Sequence, residues 1–162
     1  MHLRPATPTD RPTIDRLWLM FRHDLSEFHN TLPFEDGTFR SERVDSAFQD
    51  PGWSPYLLTL DNRPTGMAFV RGLDGPTAVM NTFFVVRAAR RRGHGLKTAL
   101  EVITRHPGPW EIPFQETNTK AATFWRRVAT AAAGTHWTEE HREAPDTWIS
   151  FNTAHTKPTN TR

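Results

Sequence analysis

Phe83-Phe84-Val85-Val86-Arg87-Ala88-Ala89-Arg90-Arg91-Arg92-Gly93-His94-Gly95-Leu96-Lys97 runs a hydrophobic strand pattern straight into a basic Gly-x-Gly turn that opens a helix. Glycines let successive backbone N–H groups converge on one point, and a helix N-terminus adds partial positive charge there. Arg87, Arg90, Arg91, Arg92 and Lys97 add five cations with no intervening acid. Charge-assisted hydrogen bonds contribute roughly 1.5–3 kcal/mol each, so two or three suffice for micromolar binding of a diphosphate. The segment therefore suits a polyanion, although a solvated arginine-rich turn with glycine at a helix boundary has the same composition. No Gly-x-x-x-x-Gly-Lys-Ser/Thr or Gly-x-Gly-x-x-Gly unit accompanies it, which disfavours a nucleotide triphosphatase and a dinucleotide fold.

Upstream, Leu3–Pro5 reads as extended, and Asp10 is placed to cap a helix. Ile14, Leu17, Trp18, Phe21, Leu25 and Phe28 then recur at three- and four-residue spacing. Residues 30–38 form a loop and Phe39–Phe48 a short helix, stopped by Pro51-Gly52. Tyr56–Leu60, Gly66–Arg71 and Ala78–Val86, separated by turn residues, make an antiparallel meander. Downstream, the expected order is a helix from Gly95 to Arg105, a strand Trp110–Phe114, a helix Asn118–Ala129 and closing strands His136–His141 and Thr147–Phe151. The whole predicts an α/β (α+β) domain over residues 1–152, with a mixed, mostly antiparallel sheet of about six or seven strands and about four helices. Residues 153–162 are expected to be a flexible tail.

The chain has 162 residues, eleven Phe and six Trp, enough large apolar side chains for one core. With no cysteine, disulfides, thiolate metal sites and a cysteine nucleophile are excluded. No run approaches the ~18 apolar residues of a membrane span, and the first ten residues lack the order of a secretory signal. A cytoplasmic, non-membrane protein is expected. Net charge is +2, which does not argue for nucleic acid. No HExxH or paired-histidine spacing points to a metal.

Arg90-x-x-Gly93-x-Gly95, preceded by Phe84-x-Val86 and followed by Asn118 and Phe124-Trp125, resembles the GNAT superfamily of acyl-coenzyme-A-dependent N-acyltransferases. The likeness runs from about Leu3 to Phe151 and is strengthened by Asn118-Thr119-Lys120-Ala121-Ala122-Thr123-Phe124-Trp125-Arg126-Arg127-Val128. The resemblance implies two neighbouring strands that part, so that a pantetheine arm bonds their unpaired backbone like an added strand. Phe84, Val85 and Val86 would supply that edge. Gly93, His94, Gly95 and Leu96 would wrap the diphosphate, with Arg91, Arg92 and Lys97 supplying charge. Asn118 would bond the arm or cap its helix, and Trp125 would stand near the place of the family's acidic tyrosine.

Acetyl-CoA or another acyl-CoA is the implied co-substrate, and a small-molecule amine the acceptor. An acyl carrier protein would present the same pantetheine, and an inactive acyl-CoA-binding sensor would need no acid or base. Where relatives often carry a carboxylate this chain has Asn81-Thr82, and its only tyrosine is Tyr56. Glu116 is a candidate replacement base. Asp24, Glu27 and His29 are candidates for acceptor binding, each equally readable as surface. An amine of pKa ~10.4 costs roughly 4 kcal/mol to deprotonate near pH 7, against about 1.4 for one near 8. A chain without an evident base therefore suits a low-pKa amine. The oligomeric state stays open, a homodimer included.

Overall fold

The computed structural model describes residues 1–143 and 146–155. Seven strands form one sheet: β1 His2–Pro5, β2 Ser54–Leu60, β3 Arg63–Arg71, β4 Ala78–Val85, β5 Pro109–Gln115, β6 Trp137–Glu143 and β7 Asp146–Asn152. Their spatial order is β1-β2-β3-β4-β5-β7-β6. Every neighbouring pair is antiparallel except β4 and β5, which run parallel.

Four helices cover the sheet: α1 Arg11–His29, α2 Glu42–Gln49, α3 His94–Arg105 and α4 Thr119–Ala133. On one face Ile14, Leu17 and Trp18 of α1 and Val44 and Ala47 of α2 pack on Leu57, Met67, Phe69 and Phe84. On the other, α3 and α4 bury Ala99, Val102, Ile103, Ala122, Trp125 and Val128 against Met80, Val85, Trp110, Ile112, Phe114 and Ile149. Two aromatic-rich cores back to back follow from strands that alternate apolar residues to both faces.

Several local expectations change. Asp10 does not cap α1. Its carboxylate takes two 2.7 Å bonds from Arg4 and one of 2.8 Å from the Thr7 amide, closing the short turn ahead of the helix. These bonds hold its pKa well below the usual carboxylate range. The second helix begins at Glu42 rather than Phe39; ahead of it the Arg40 carbonyl accepts the Trp18 indole N–H at 2.8 Å, a bond outside the helical ladder. Of the expected tail, Thr153–His155 forms a 3-10 turn fastened to the residue ahead of β5, with the Gly108 amide donating to Thr153 Oγ1 at 2.9 Å. The remainder of the tail, 156–162, lies outside the described residues.

One irregularity positions the site. On β4, Phe69 of β3 faces Thr82 while Val70 faces Met80, so Asn81 stands in a β-bulge. A bulge turns neighbouring side chains toward one face and sharpens the strand's twist. Here Thr82 Oγ1 donates to Asn81 Oδ1 at 3.1 Å.

Candidate active site

β4 and β5 pair only through Ala78–Trp110 and Val79–Glu111. Beyond those two rungs they separate, leaving the rest of both facing edges unpaired. Alternation along an antiparallel strand fixes which backbone groups look into this gap. The Val86 amide donates to Thr65 O at 2.8 Å, so it points toward β3. The Phe84 carbonyl also points that way, lying 2.1 Å from where a Cβ on Gly66 would stand. Of the three residues expected to offer the edge, Phe84 and Val86 therefore turn their backbone away. Val85 and its neighbour Phe83 turn theirs into the gap. The Val85 carbonyl is already engaged by Arg90 Nε at 2.6 Å, leaving its amide.

The basic turn lies at the open end of this gap. Arg91 and Gly93 both adopt left-handed backbone, φ 67° and 75°, which rotates consecutive amides toward a common centre. Helix α3 makes its first return bond at Lys97 N to Gly93 O, 3.2 Å. Among the described residues, the amides of Arg91, Arg92, Gly93, His94, Gly95 and Leu96 donate to no protein acceptor. A Cβ at Gly93 would enter open space, whereas one at Gly95 would stand 3.5 Å from the Phe124 ring. The first glycine supplies backbone conformation and the second an uncovered approach. The free amides, the unpaired strand edge and nearby cations match what a pantetheine diphosphate needs from a protein.

The charge around the turn is less than the sequence suggests. Asp24 reaches from α1 to bind Arg87 at 2.7 Å and Arg90 at 2.6 Å. Burial opposes ionisation of Asp24, but the hydrogen bonds from Arg90 and Arg87 outweigh it and lower its pKa. Asp24, expected among the acceptor-binding residues, thus clamps α1 to the turn. Arg91, Arg92 and Lys97 remain exposed without ion pairs among the described residues.

Glu27 and His29 are exposed on the last turns of α1. Glu116 accepts from Arg126 at 2.9 and 3.0 Å and from Thr147 at 3.2 Å. The Arg126 bonds lower its pKa, a placement that does not suit the expected replacement base. Asn118 caps α4, its side chain accepting from the Ala121 amide at 3.1 Å. Trp125 is 7% exposed and packs edge-on against Phe83 and Phe124, so it walls the gap from behind. Tyr56 is buried, its hydroxyl 2.7 Å from His106 Nε2; β3 and β4 stand between its strand and the gap, which places it away from the acid's position.

Some polar groups without a sequence signature are left unpaired by the fold. Arg22 of α1 lies between the rings of Trp18 and Phe39, 5.9 and 5.7 Å from their centroids. Its Nε is buried without a hydrogen-bond partner. Arg43 of α2 is exposed at the surface. Gln115 Oε1, at the divergent end of β5, is likewise buried and unpartnered.

No protein-family model matches the chain, and no curated protein matches it in sequence. Solved structures do match in fold. The GNAT domain of PAT from S. lividans aligns at TM-score 0.67 and 15% identity, over 93% of this chain and 89% of that one. An acetyltransferase from Thermus thermophilus aligns at TM-score 0.67 and 21% identity, over 93% and 96%. A ribosomal-protein-alanine N-acetyltransferase from Brucella melitensis aligns at TM-score 0.62 and 16% identity, over 94% and 99%. The chain has the GNAT fold, as the motif Arg90-x-x-Gly93-x-Gly95 leads one to expect.

Proposed function

We propose that this protein is an N-acyltransferase that moves an acyl group, acetyl in the simplest case, from acyl-CoA to the amine of a small molecule by direct attack in a ternary complex. The observation that carries it is the juxtaposition of the β4–β5 gap with six unengaged amides at the mouth of that gap. The bound thioester supplies an activated acyl carbonyl. The Val85 amide and the backbone of Phe83 hold the pantetheine arm as a neighbouring strand would. Amides from Arg91 to Leu96 hold the diphosphate, and Arg91, Arg92 and Lys97 neutralise it.

Asn81 and Thr82, bonded to each other at the bulge, orient the incoming amine; neither takes its proton. With Glu116 tied to Arg126 and Tyr56 remote, deprotonation falls to water, which suits an amine of pKa near 8 rather than a lysine side chain. The missing acid and base also favour one second possibility, a sensor that binds acyl-CoA without turnover. An acyl carrier protein is a rival donor, since its pantetheine would use the same gap.

Calorimetry with CoA, beside turnover assays using acyl-CoA and acyl-carrier donors on amines of low and high pKa, separates these cases. Binding with turnover on low-pKa amines supports the proposal. Binding without turnover on any amine identifies the sensor, and absence of binding by either donor removes the assignment.

A further inference from the structure

Arg90, the first residue of Arg90-x-x-Gly93-x-Gly95, reaches three partners. Its Nε–H donates to the Val85 carbonyl at 2.6 Å, its Nη2 donates to Asp24 of α1 at 2.6 Å, and its guanidinium lies 5.7 Å from the centre of the Phe84 ring. That ring belongs to the core beneath α1, so Arg90 comes to the edge of β4 from the α1 side and is fixed there by charge, packing and a backbone bond together. The bond to Val85 has a chemical consequence. Val85 faces the gap from an unpaired strand edge, where its carbonyl is the natural acceptor for an added strand. A guanidinium carries five N–H donors and no acceptor. The rest of the fork, Nη1 included, meets no acceptor among the described residues.

An ordinary open edge alternates donors and acceptors along its length. This one does not. From the bulge toward the turn, the gap-facing backbone presents the Phe83 amide and carbonyl and the Val85 amide, then Arg90 over the Val85 carbonyl, then the unengaged amides from Arg91 to Leu96. Past Phe83 the groups on offer are donors.

We infer that Arg90 is a donor-binding residue that sets the polarity of the gap edge: beside the Val85 N–H it holds the carbonyl of the pantetheine arm's second amide, and it leaves Phe83 O as the place for an arm N–H between the bulge and the turn. This rests on the acyl-transfer function proposed above and assigns a side chain to its donor site. Pantetheine carries two amides joined by two methylenes, one next to the thioester end and one toward the diphosphate. With the first N–H on Phe83 O and the second carbonyl at Val85 and Arg90, the thioester lies toward Asn81 and Thr82 and the diphosphate toward the turn. Slipping the arm outward by two residues would withdraw the thioester by about 7 Å. It would also turn the first N–H toward a guanidinium, which offers it no acceptor.

Calorimetry with CoA and with 3′-phosphoadenosine 5′-diphosphate, the same nucleotide without the arm, tests this. Arg90→Met keeps a stem over Phe84 and removes every N–H. It should reduce the advantage of CoA over the armless nucleotide about 10-fold, the worth of one charge-assisted hydrogen bond. General damage to the turn weakens both ligands and leaves their ratio alone. Arg90→Lys, with one nitrogen for the same place, should recover part of the advantage. Arg87→Gln, which loses a bond to Asp24 without involving Val85, should retain it. Equal binding of the two ligands by the wild type, an advantage unchanged in Arg90→Met, or one lost equally in Arg87→Gln overturns the inference and leaves acyl transfer standing. Turnover of acetyl-CoA reports on the other reading. The expected binding pattern without turnover on any amine keeps the edge assignment and removes acyl transfer, and binding of neither ligand removes both.

Discussion

Replacing Asp24 by asparagine removes the one carboxylate that, among the described residues, joins α1 to the basic turn. The side chain accepts from Arg87 at 3.1 and 2.7 Å and from Arg90 at 2.6 Å. Arg87 is 71% exposed, so its pair is worth at the low end of about 0–1 kcal/mol. Arg90 is 39% exposed and also holds the Val85 carbonyl and the Phe84 ring; about 1 kcal/mol is reasonable for its bond to Asp24. Asp24→Asn should therefore cost about 1–2 kcal/mol, a fall in Tm of roughly 3–6 °C for a chain of this length.

The folded pKa of Asp24 is depressed, so its contribution is fully present above the unfolded value of about 3.9 and is lost as pH falls through the folded value. The gap between wild-type and variant melting temperatures should thus be constant near neutrality and narrow below about pH 4. A double-mutant cycle with Arg90→Gln should show coupling of about 1 kcal/mol. CoA binding, followed by calorimetry, should weaken several-fold as the turn loses its tether. Equal melting temperatures at pH 7, or strictly additive single mutants, would refute the clamp.

Other outcomes follow from the same geometry. Gly66→Ala drives a Cβ into the Phe84 carbonyl, and calorimetric unfolding should register a loss of about 1–3 kcal/mol; a neutral result would mean that β3 and β4 are farther apart. Gly93→Ala forces a side chain into φ 75° at a cost of about 1–2 kcal/mol, whereas Gly95→Ala should melt as wild type does. Gly95→Trp should fold and lose CoA binding, and unchanged binding there would count against the amide cradle. Glu116→Gln should keep kcat within about threefold, since a general base is worth about 100-fold or more; a loss of that size would restore Glu116 as the base.

The fold was legible where periodicity is strong. The spacing of Ile14, Leu17 and Trp18 places α1, and the strand-to-turn passage from Phe83 to Lys97 places the gap's rim. What escaped depends on contacts distant in sequence. Asp24 lies 63 residues before Arg87, so two of the five cations in an apparently uncompensated run share a carboxylate. Which carbonyls face the gap depends on the bulge at Asn81, a one-residue offset that no pattern of hydrophobicity marks. Arg22 belongs to no motif, and only the packing of α1 on the segment ahead of α2 sets it between two rings. Asn118 was readable as either a cap or a ligand, and its Oδ1 does cap α4 by accepting from the Ala121 amide.

Two rungs are the whole of the ladder between the strands numbered four and five. Mechanically the sheet is a pair of leaves, one of four strands and one of three, stapled at a corner. Helices α3 and α4, packed on each other behind, act as the spine. A chain-like ligand lying between the leaves would splint them along their open length. Amide hydrogens of β5, β6 and β7 should then exchange with solvent more slowly in the bound protein, as one continuous sheet rather than two.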